Sequence, residues 1–240
     1  MQRVSSDNGG AARIAIAGLI ALAVAMGIGR FAFTPIMPMM EADAGLTLRA
    51  AGWLAAANYL GYFLGALCAP RLPPRLALRG GLLLIAVVTF AMGVTHVFAL
   101  QLLLRLLAGV ASAWVLVHVS AWALERLLVL QRPQANGVVF AGVGVGIAGA
   151  GLLCMVLMDA RVDSMRTWET FGVVSALLTA LIWTAFRDGG VSASMPTGRG
   201  PARRMYWNAD RVRLALCYAA LGFGYIIPAT FLPAMAHRYI

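Results

Sequence analysis

Two arginines lie inside long apolar stretches of this sequence. Arg30 follows Gly27 and Gly29 in the first stretch, and Arg105 is the sole charge between Gly80 and Leu124. A charge in apolar surroundings needs a partner or a polar cavity. Arg30 could bind an anionic solute, or it could be a snorkelling or inter-helix structural arginine. Arg105 could also bind an anion, or it could donate to a backbone carbonyl nearby. Since no acidic residue is close to either in sequence, we expect an anion or solvent between the two guanidiniums.

Polar residues at helical spacing extend this set of candidates. Asn58, Tyr62 and Gly65 stand at positions i, i+4 and i+7, so they share one helix face. That face could line a cavity, with the amide orienting a solute, or it could bond to a neighbouring helix. The same spacing and the same alternatives apply to Tyr218, Gly222 and Tyr225. The candidate solute-binding residues are Arg30, Asn58, Tyr62, Arg105 and Tyr225.

Several glycines are candidates for packing or conformational roles. Gly142 and Gly146 form a small-xxx-small pair, which lets helix backbones approach closely, and they could also allow flexing. Helical spacing places Gly109 and Ser112 on the face of Arg105. No Ser-His-Asp arrangement and no metal-ligand spacing is present, and the three cysteines are isolated. We therefore expect no enzyme activity, no metal and no cofactor.

The composition indicates an integral membrane protein. The chain has 240 residues, of which 61% are hydrophobic and 12% charged, and its mean hydropathy is +0.83. A soluble domain is about a quarter charged, so a soluble enzyme, a nucleic-acid-binding domain and a disordered scaffold are excluded. The net charge of +10 comes with 19 arginines and no lysine. Most of these arginines stand between apolar runs, where they set membrane topology.

Seven apolar runs are long enough to cross a bilayer as helices, which takes about 20 residues each. The stretch from Gly80 to Leu124 is about twice that length, so it must contain two crossings with a tight turn. The sequence thus predicts an all-α, polytopic bundle of about seven transmembrane helices. The runs are Ala12–Met39, Ala50–Ala69, Arg79–Phe98, Ala99–Leu124, Gln134–Met158, Trp168–Phe186 and Val212–Ala236.

Arginine placement predicts the orientation. With the N-terminus inside, 13 arginines fall on the cytoplasmic side and 4 on the other, which favours a cytoplasmic N-terminus in a bacterial inner membrane. We interpret the first run as a retained span and residues 188–210, rich in Gly, Pro, Ser and Arg, as a cytoplasmic linker. Residues 1–187 then form a six-helix bundle, and residues 211–240 form the first helix of an incomplete second bundle.

The first and seventh runs echo each other, which points to a known family. Gly27-Ile28-Gly29-Arg30 followed by Pro38 has the spacing of Gly222-Phe223-Gly224-Tyr225 followed by Pro233. Six spans, an arginine-rich loop and this echo resemble the major facilitator superfamily, and the run Arg105–Ala113 matches its RxxxGxxxA motif. The stretches Gly27–Met40 and Asn58–Leu67 resemble the YbfB/YjiJ-type branch. The resemblance implies a secondary transporter that moves a small solute by alternating access, with proton coupling as the superfamily's common habit.

The sequence departs from the family pattern in two places. Pro70 stands where the superfamily has an aspartate between the second and third spans, and family members have about twelve spans. The alternative is therefore a truncated, non-transporting membrane protein, or a half-transporter subunit that needs a partner bundle. The expected partners are a small solute, with an anion as the favoured class, a coupling proton, the lipid bilayer and, if the protein has only this one bundle, a second copy of the chain, but not nucleic acid.

Overall fold

The structure divides the chain into two compact units, residues 1–190 and residues 191–240. The computed structural model describes the backbone of residues 2–186 and 208–236, and side chains of residues 9–186, 208–214, 216–222 and 224. The backbone so described is helical and contains no strand, so the predicted all-α class is confirmed. Most of the predicted linker, 188–207, lies outside the described residues, and the division into bundle, linker and second bundle stays a prediction.

The first span is a long helix with a widened middle. It consists of α1 (Gln2–Leu22), a π-helical segment (Ala23–Phe31) and α2 (Phe33–Asp43). Gly27 and Gly29 lie in the π-helical segment, and Pro35, just beyond it, has no N–H to donate to the preceding turn. The hydrogen-bond register therefore changes where α2 begins, and such widened turns are frequent at functional sites.

The remaining helices follow the predicted runs in order. The helix of the third predicted run is the exception, because it ends at Met92, whereas the predicted run extends to Phe98. The chain turns there, with the Thr95 hydroxyl accepting from the Val97 N–H. The helices are α3 (Leu48–Cys68), a π turn (Leu76–Gly80) leading into α4 (Gly81–Met92), α5 (Phe98–Val129), α6 (Asn136–Asp159), α7 (Ser164–Ile182) and α8 (Ala209–Ala236), with 3₁₀ turns at Ala69–Arg71, Pro133–Ala135 and Trp183–Phe186.

Helix starts and turns follow the local sequence. The Thr47 hydroxyl accepts from the Ala50 N–H at the start of α3, and the Asp163 carboxylate accepts from the Arg166 N–H at the start of α7. Both are favoured N-cap residues. Gln131 and Arg161, which follow α5 and α6, adopt the left-handed conformation, with φ of 55° and 56°. These turns reverse the chain between neighbouring helices.

By length and composition, four helical segments of the described chain can cross a membrane. They are Gly9–Asp43, Phe98–Val129, Pro133–Asp159 and Ser164–Phe186, and Leu76–Met92 is a shorter apolar helix. Within residues 1–190, α3 packs along α5, α4 packs along α7, and the first span packs against α5 and α6. The core includes the edge-to-face pair Trp122 and Phe186, whose ring centroids are 4.8 Å apart. The fold thus brings the first span, α3 and α5 together.

Candidate functional site

Arg30 lies at the end of the π-helical segment and its side chain faces α3. Its guanidinium carbon is 4.1 Å from the ring centroid of Tyr62 and 5.2 Å from that of Tyr59, one helical turn earlier. The ring of Phe31 is 5.4 Å away. Arg30 is half-buried. A guanidinium over aromatic faces is stabilised by cation–π attraction, which leaves the N–H groups at its edge available for hydrogen bonds.

Arg105 is a buried cation that binds the backbone of the first span. Its side chain is 3% exposed, and its terminal nitrogens donate to the carbonyl of Arg30 at 3.1 Å and to that of Gly29 at 3.4 Å. These carbonyls lie where the hydrogen-bond register of the first span changes. The ring of Phe33 is 5.1 Å from the guanidinium carbon, and that of Trp168 is 5.9 Å away. Of the two interpretations of Arg105, this geometry matches the one in which its side chain donates to backbone carbonyls.

Asn58 connects three segments at the same level. Its side chain is 1% exposed, and its amide nitrogen donates to the carbonyl of Arg105 at 2.9 Å and to that of Gly29 at 3.4 Å. Because both neighbours are acceptors, the amide orientation is fixed, with nitrogen toward the carbonyls. Asn58 therefore ties α3 to α5 and to the first span.

Three buried polar atoms of this cluster have no hydrogen-bond partner among the described residues. They are Nε of Arg30, Nε of Arg105 and Oδ1 of Asn58. Two are donors on cations and one is an acceptor. Within the described part of the chain, no carboxylate is within ion-pair distance of either guanidinium. Buried polar atoms are nearly always satisfied, so each of these atoms calls for an explanation.

Glycines allow the close helix contacts that assemble this region. A Cβ built at Gly109 would lie 2.0 Å from the carbonyl oxygen of Asn58, and one at Gly61 would lie 2.0 Å from that of Leu106. Ser112 instead faces the first span, with its hydroxyl 2.7 Å from the carbonyl of Ala25. Arg105 and Ser112 thus both contact the first span, whereas Gly109 lies against α3.

The glycine pair of α6 lies against the first span. A Cβ at Gly142 would be 2.1 Å from the carbonyl oxygen of Leu19, and one at Gly146 would be 2.7 Å from Cα of Ala23. Gly27 of the first span also lies against Gly146. A Cβ built at Gly27 would be 2.4 Å from the carbonyl carbon of Gly146. Neither α1 nor the π-helical segment could approach α6 this closely if side chains replaced these glycines.

Of the five candidate residues, the structure brings four together. Arg30, Asn58, Tyr62 and Arg105 form one cluster of direct contacts. Tyr225 lies on α8, and its side chain falls outside the described residues. The echo between the first and seventh spans does not extend to the local backbone, because α8 is an uninterrupted α-helix from Ala209 to Ala236.

Sequence reasoning missed four aromatic residues of the cluster, of which Phe31 is the neighbour of Arg30 in the chain. Tyr59 stands three residues before Tyr62, so the pair at i and i+3 was the available signal. Phe33 stands three residues after Arg30, but its contact is with Arg105. Trp168 comes from α7, and nothing in the local sequence indicates that it reaches Arg105.

Comparison with known proteins identifies the family to which the chain belongs. Residues 22–239 match the family model described as the uncharacterised MFS-type transporter YbfB. The chain belongs to this family of transporters. It is also similar to the MFS-type transporter YceJ of Bacillus subtilis (strain 168), with 28% identity over 221 residues. That match covers 86% of this chain and 54% of YceJ, so the chain spans about half the length of the curated relative that it matches. An MFS-type transporter is a multi-pass membrane protein, as the apolar helices also indicate.

Proposed function

We propose that this MFS-type protein is a secondary transporter that moves a small anionic solute by alternating access, with Arg30 as the group that binds the anion. The observation that carries the proposal is the environment of Arg30. The side chain is half-buried within an apolar span, its guanidinium lies over Tyr62 and Tyr59, and no carboxylate of the described residues pairs with it. An uncompensated charge in this setting is costly, and an anion would compensate it.

The chemistry of the guanidinium supports anion binding. Its N–H donors match a carboxylate in a bidentate way, and the ring of Tyr62 lies against it, with the ring centroid 4.1 Å from its central carbon. The buried Nε of Arg30 has no partner among the described residues, so a bound anion would supply the acceptor. Asn58 offers an acceptor oxygen nearby, which suits a solute that also carries a hydrogen-bond donor.

Arg105 and Asn58 act in this proposal mainly by positioning Arg30. Both donate to the carbonyl of Gly29, and Arg105 also donates to the carbonyl of Arg30 itself. The widened part of the first span is thereby held against α5 and α3. A solute-binding arginine on a π-helical segment needs such support to keep its geometry.

Alternating access requires two bundles that rock around a site between them. Since this chain spans about half the length of YceJ, the proposal concerns a protein that contains both bundles, with α8 as the first helix of the second. Tyr225, at the position that echoes Arg30 in the sequence, stays a candidate solute-binding residue of that bundle. The N-terminus would be cytoplasmic, the location would be the inner membrane, and a proton would be the coupling ion. No observation favours the half-transporter or non-transporting alternative, or an enzyme activity.

Uptake and efflux measurements test the proposal. Cells that produce the whole protein would be given a panel of labelled small carboxylates and the corresponding neutral amides, and the variants would be Arg30→Ala, Arg30→Lys and Arg49→Ala. Arg49 is an exposed arginine in the first turn of α3, so its replacement controls for loss of charge alone. We expect Arg30→Ala to abolish carboxylate transport at unchanged protein level in the membrane. Unchanged carboxylate transport by Arg30→Ala, or equal transport of the neutral amides, would contradict the proposal.

A further inference from the structure

A groove opens at the end of the bundle where the first span begins. It has a volume of about 440 Å³ and lies between α1, the turn after α5 and the first turn of α6. Its wall is mostly apolar, and its polar members are Arg132 and Gln134. Ile16 and Val138 in this wall are 53% and 45% exposed, so within the described part of the chain their side chains are left open. The lining residues from α1 are Ala11, Ala12, Ala15 and Ile16.

The position of Arg132 at the groove is set by a defined turn. Gln131 adopts the left-handed conformation, and the Arg132 N–H donates to the carbonyl of Leu127 at 2.8 Å. The carbonyl of Arg132 in turn accepts from the Ala135 N–H at 3.1 Å, which closes the 3₁₀ turn before α6. The backbone N–H and carbonyl of Arg132 are therefore both hydrogen-bonded, which places the residue next to the first turn of α6.

The charged residues described as lining the groove and the adjoining cavity are all arginines. Among the residues described as lining the groove, Arg132 carries the only formal charge and no carboxylate is present. On the adjoining face of α1, a smaller cavity of about 250 Å³ is lined by Arg13 and Arg126, again without a carboxylate among its described residues. The N-terminal end of α6, close to Arg132, adds the positive end of a helix dipole.

We propose that this groove binds an anionic phospholipid, with its phosphate at Arg132 and one acyl chain along Ala12, Ile16 and Val138. The groove lies at the end of membrane-crossing helices, which is where lipid headgroups are found. A basic group above an apolar channel matches a phosphate ester above a hydrocarbon chain, and basic pockets between transmembrane helices are known to bind anionic headgroups. A soluble anion would gain nothing from the apolar wall, and a zwitterionic lipid would gain less from Arg132. The proposal is independent of which solute the protein transports.

Native mass spectrometry of the intact protein in mild detergent tests this site. The probes are phosphatidylglycerol, phosphatidylcholine with the same acyl chains, and inorganic phosphate. The variants are Arg132→Gln, which removes the charge, and Ala12→Trp, which fills the groove. Arg75→Gln and Ala56→Trp are the matched controls, because both residues are exposed and lie outside the groove.

We expect phosphatidylglycerol to bind more tightly than phosphatidylcholine, and Arg132→Gln to weaken phosphatidylglycerol binding about fivefold, the effect of about one arginine near an anionic headgroup. Ala12→Trp should weaken the binding of both lipids, whereas the control variants should leave it unchanged. Three results would overturn the proposal: equal affinity for the two lipids, binding of inorganic phosphate as tight as that of phosphatidylglycerol, or equal effects of Arg132→Gln and Arg75→Gln. If another segment of the protein occupies the groove, Ala12→Trp will not weaken lipid binding, which would also refute it.

Discussion

The guanidinium of Arg30 lies over the ring of Tyr62, with its central carbon 4.1 Å from the ring centroid. This contact joins the widened part of the first span to α3. It also restricts the positions open to the guanidinium, because the ring of Tyr62 lies directly against it. The proposed anion site depends on this arrangement, in which Arg30 carries the charge and Tyr62 supports its position.

Substitution of Tyr62 tests the orientation of Arg30. Tyr62→Phe keeps the ring over the guanidinium, so we expect transport with little change in KM. Tyr62→Leu removes a cation–π contact of about 0.5–2 kcal/mol, which corresponds to a rise in KM of about 2- to 30-fold. The measurement is concentration-dependent transport of the carboxylate found in the uptake panel. An equal rise in KM for Tyr62→Phe would show that the hydroxyl, not the ring, is the group that matters.

The two arginines should respond differently to replacement by lysine. Arg105 donates to two carbonyls of the first span, and a lysine cannot reproduce that forked contact. We expect Arg105→Lys to lower the free energy of unfolding by about 1.5–3 kcal/mol, the range for hydrogen bonds to charged groups, with a smaller effect on KM. Arg30→Lys should do the reverse, with a raised KM and little loss of stability. Thermal unfolding in detergent and transport kinetics on the same preparations would separate the two. If Arg105→Lys raised KM without loss of stability, Arg105 would be a solute ligand.

Glycine contacts offer a test with an internal control. Gly109→Ala would place a Cβ 2.0 Å from the carbonyl oxygen of Asn58, so α3 and α5 must separate. Overpacking of this kind costs about 1–3 kcal/mol. Gly144→Ala, on α6, meets no described atom within 4 Å, and we expect no loss of stability from it. The midpoints of thermal unfolding of the two variants should therefore diverge, and equal midpoints would argue against close packing of α3 on α5.

Much of the fold could be predicted from the sequence because membrane thickness imposes a length on each apolar run. The two crossings between Gly80 and Leu124 follow from length alone, and the structure places their turn at Thr95. The π-helical segment could not be predicted, since an apolar run does not distinguish 3.6 residues per turn from a wider turn. Gly27, Gly29 and Pro35 were its only signals, and the two glycines lie against partners from other helices, Gly146 for Gly27 and Ser112 for Gly29.

The site could be predicted only in part, because the contacts between its helices leave no signal in the local sequence. An arginine in an apolar run is conspicuous on its own, so Arg30 and Arg105 could be named without tertiary information. Which partner each arginine takes depends on the relative rotation of three helices. Trp168 stands 63 residues after Arg105 in the chain, so no local pattern could indicate that its ring lies beside Arg105.

Asp43 joins the C-terminal end of the first span to the start of α7, which gives a final prediction. Its carboxylate accepts hydrogen bonds from both the backbone N–H and the hydroxyl of Ser164, the hydroxyl at 2.7 Å. Asp43 thus satisfies a donor at the start of α7 in addition to the local cap, Asp163. We expect Asp43→Ala to lower the free energy of unfolding by about 0.5–2 kcal/mol, the cost of losing an N-terminal cap, and Ser164→Ala, which keeps the backbone bond, to cost less.

Asp159→Ala is the matched control for Asp43→Ala, because Asp159 is an exposed acid at the end of α6 on the same side of the bundle. Thermal unfolding of the three variants in detergent would rank them, with Asp43→Ala the least stable and Asp159→Ala unchanged. Because α2 continues directly from the segment that carries Arg30, loosening this joint should also alter transport. A fall in transport rate with Asp43→Ala at unchanged KM would place the joint in the conformational step, whereas loss of stability alone would make it purely structural.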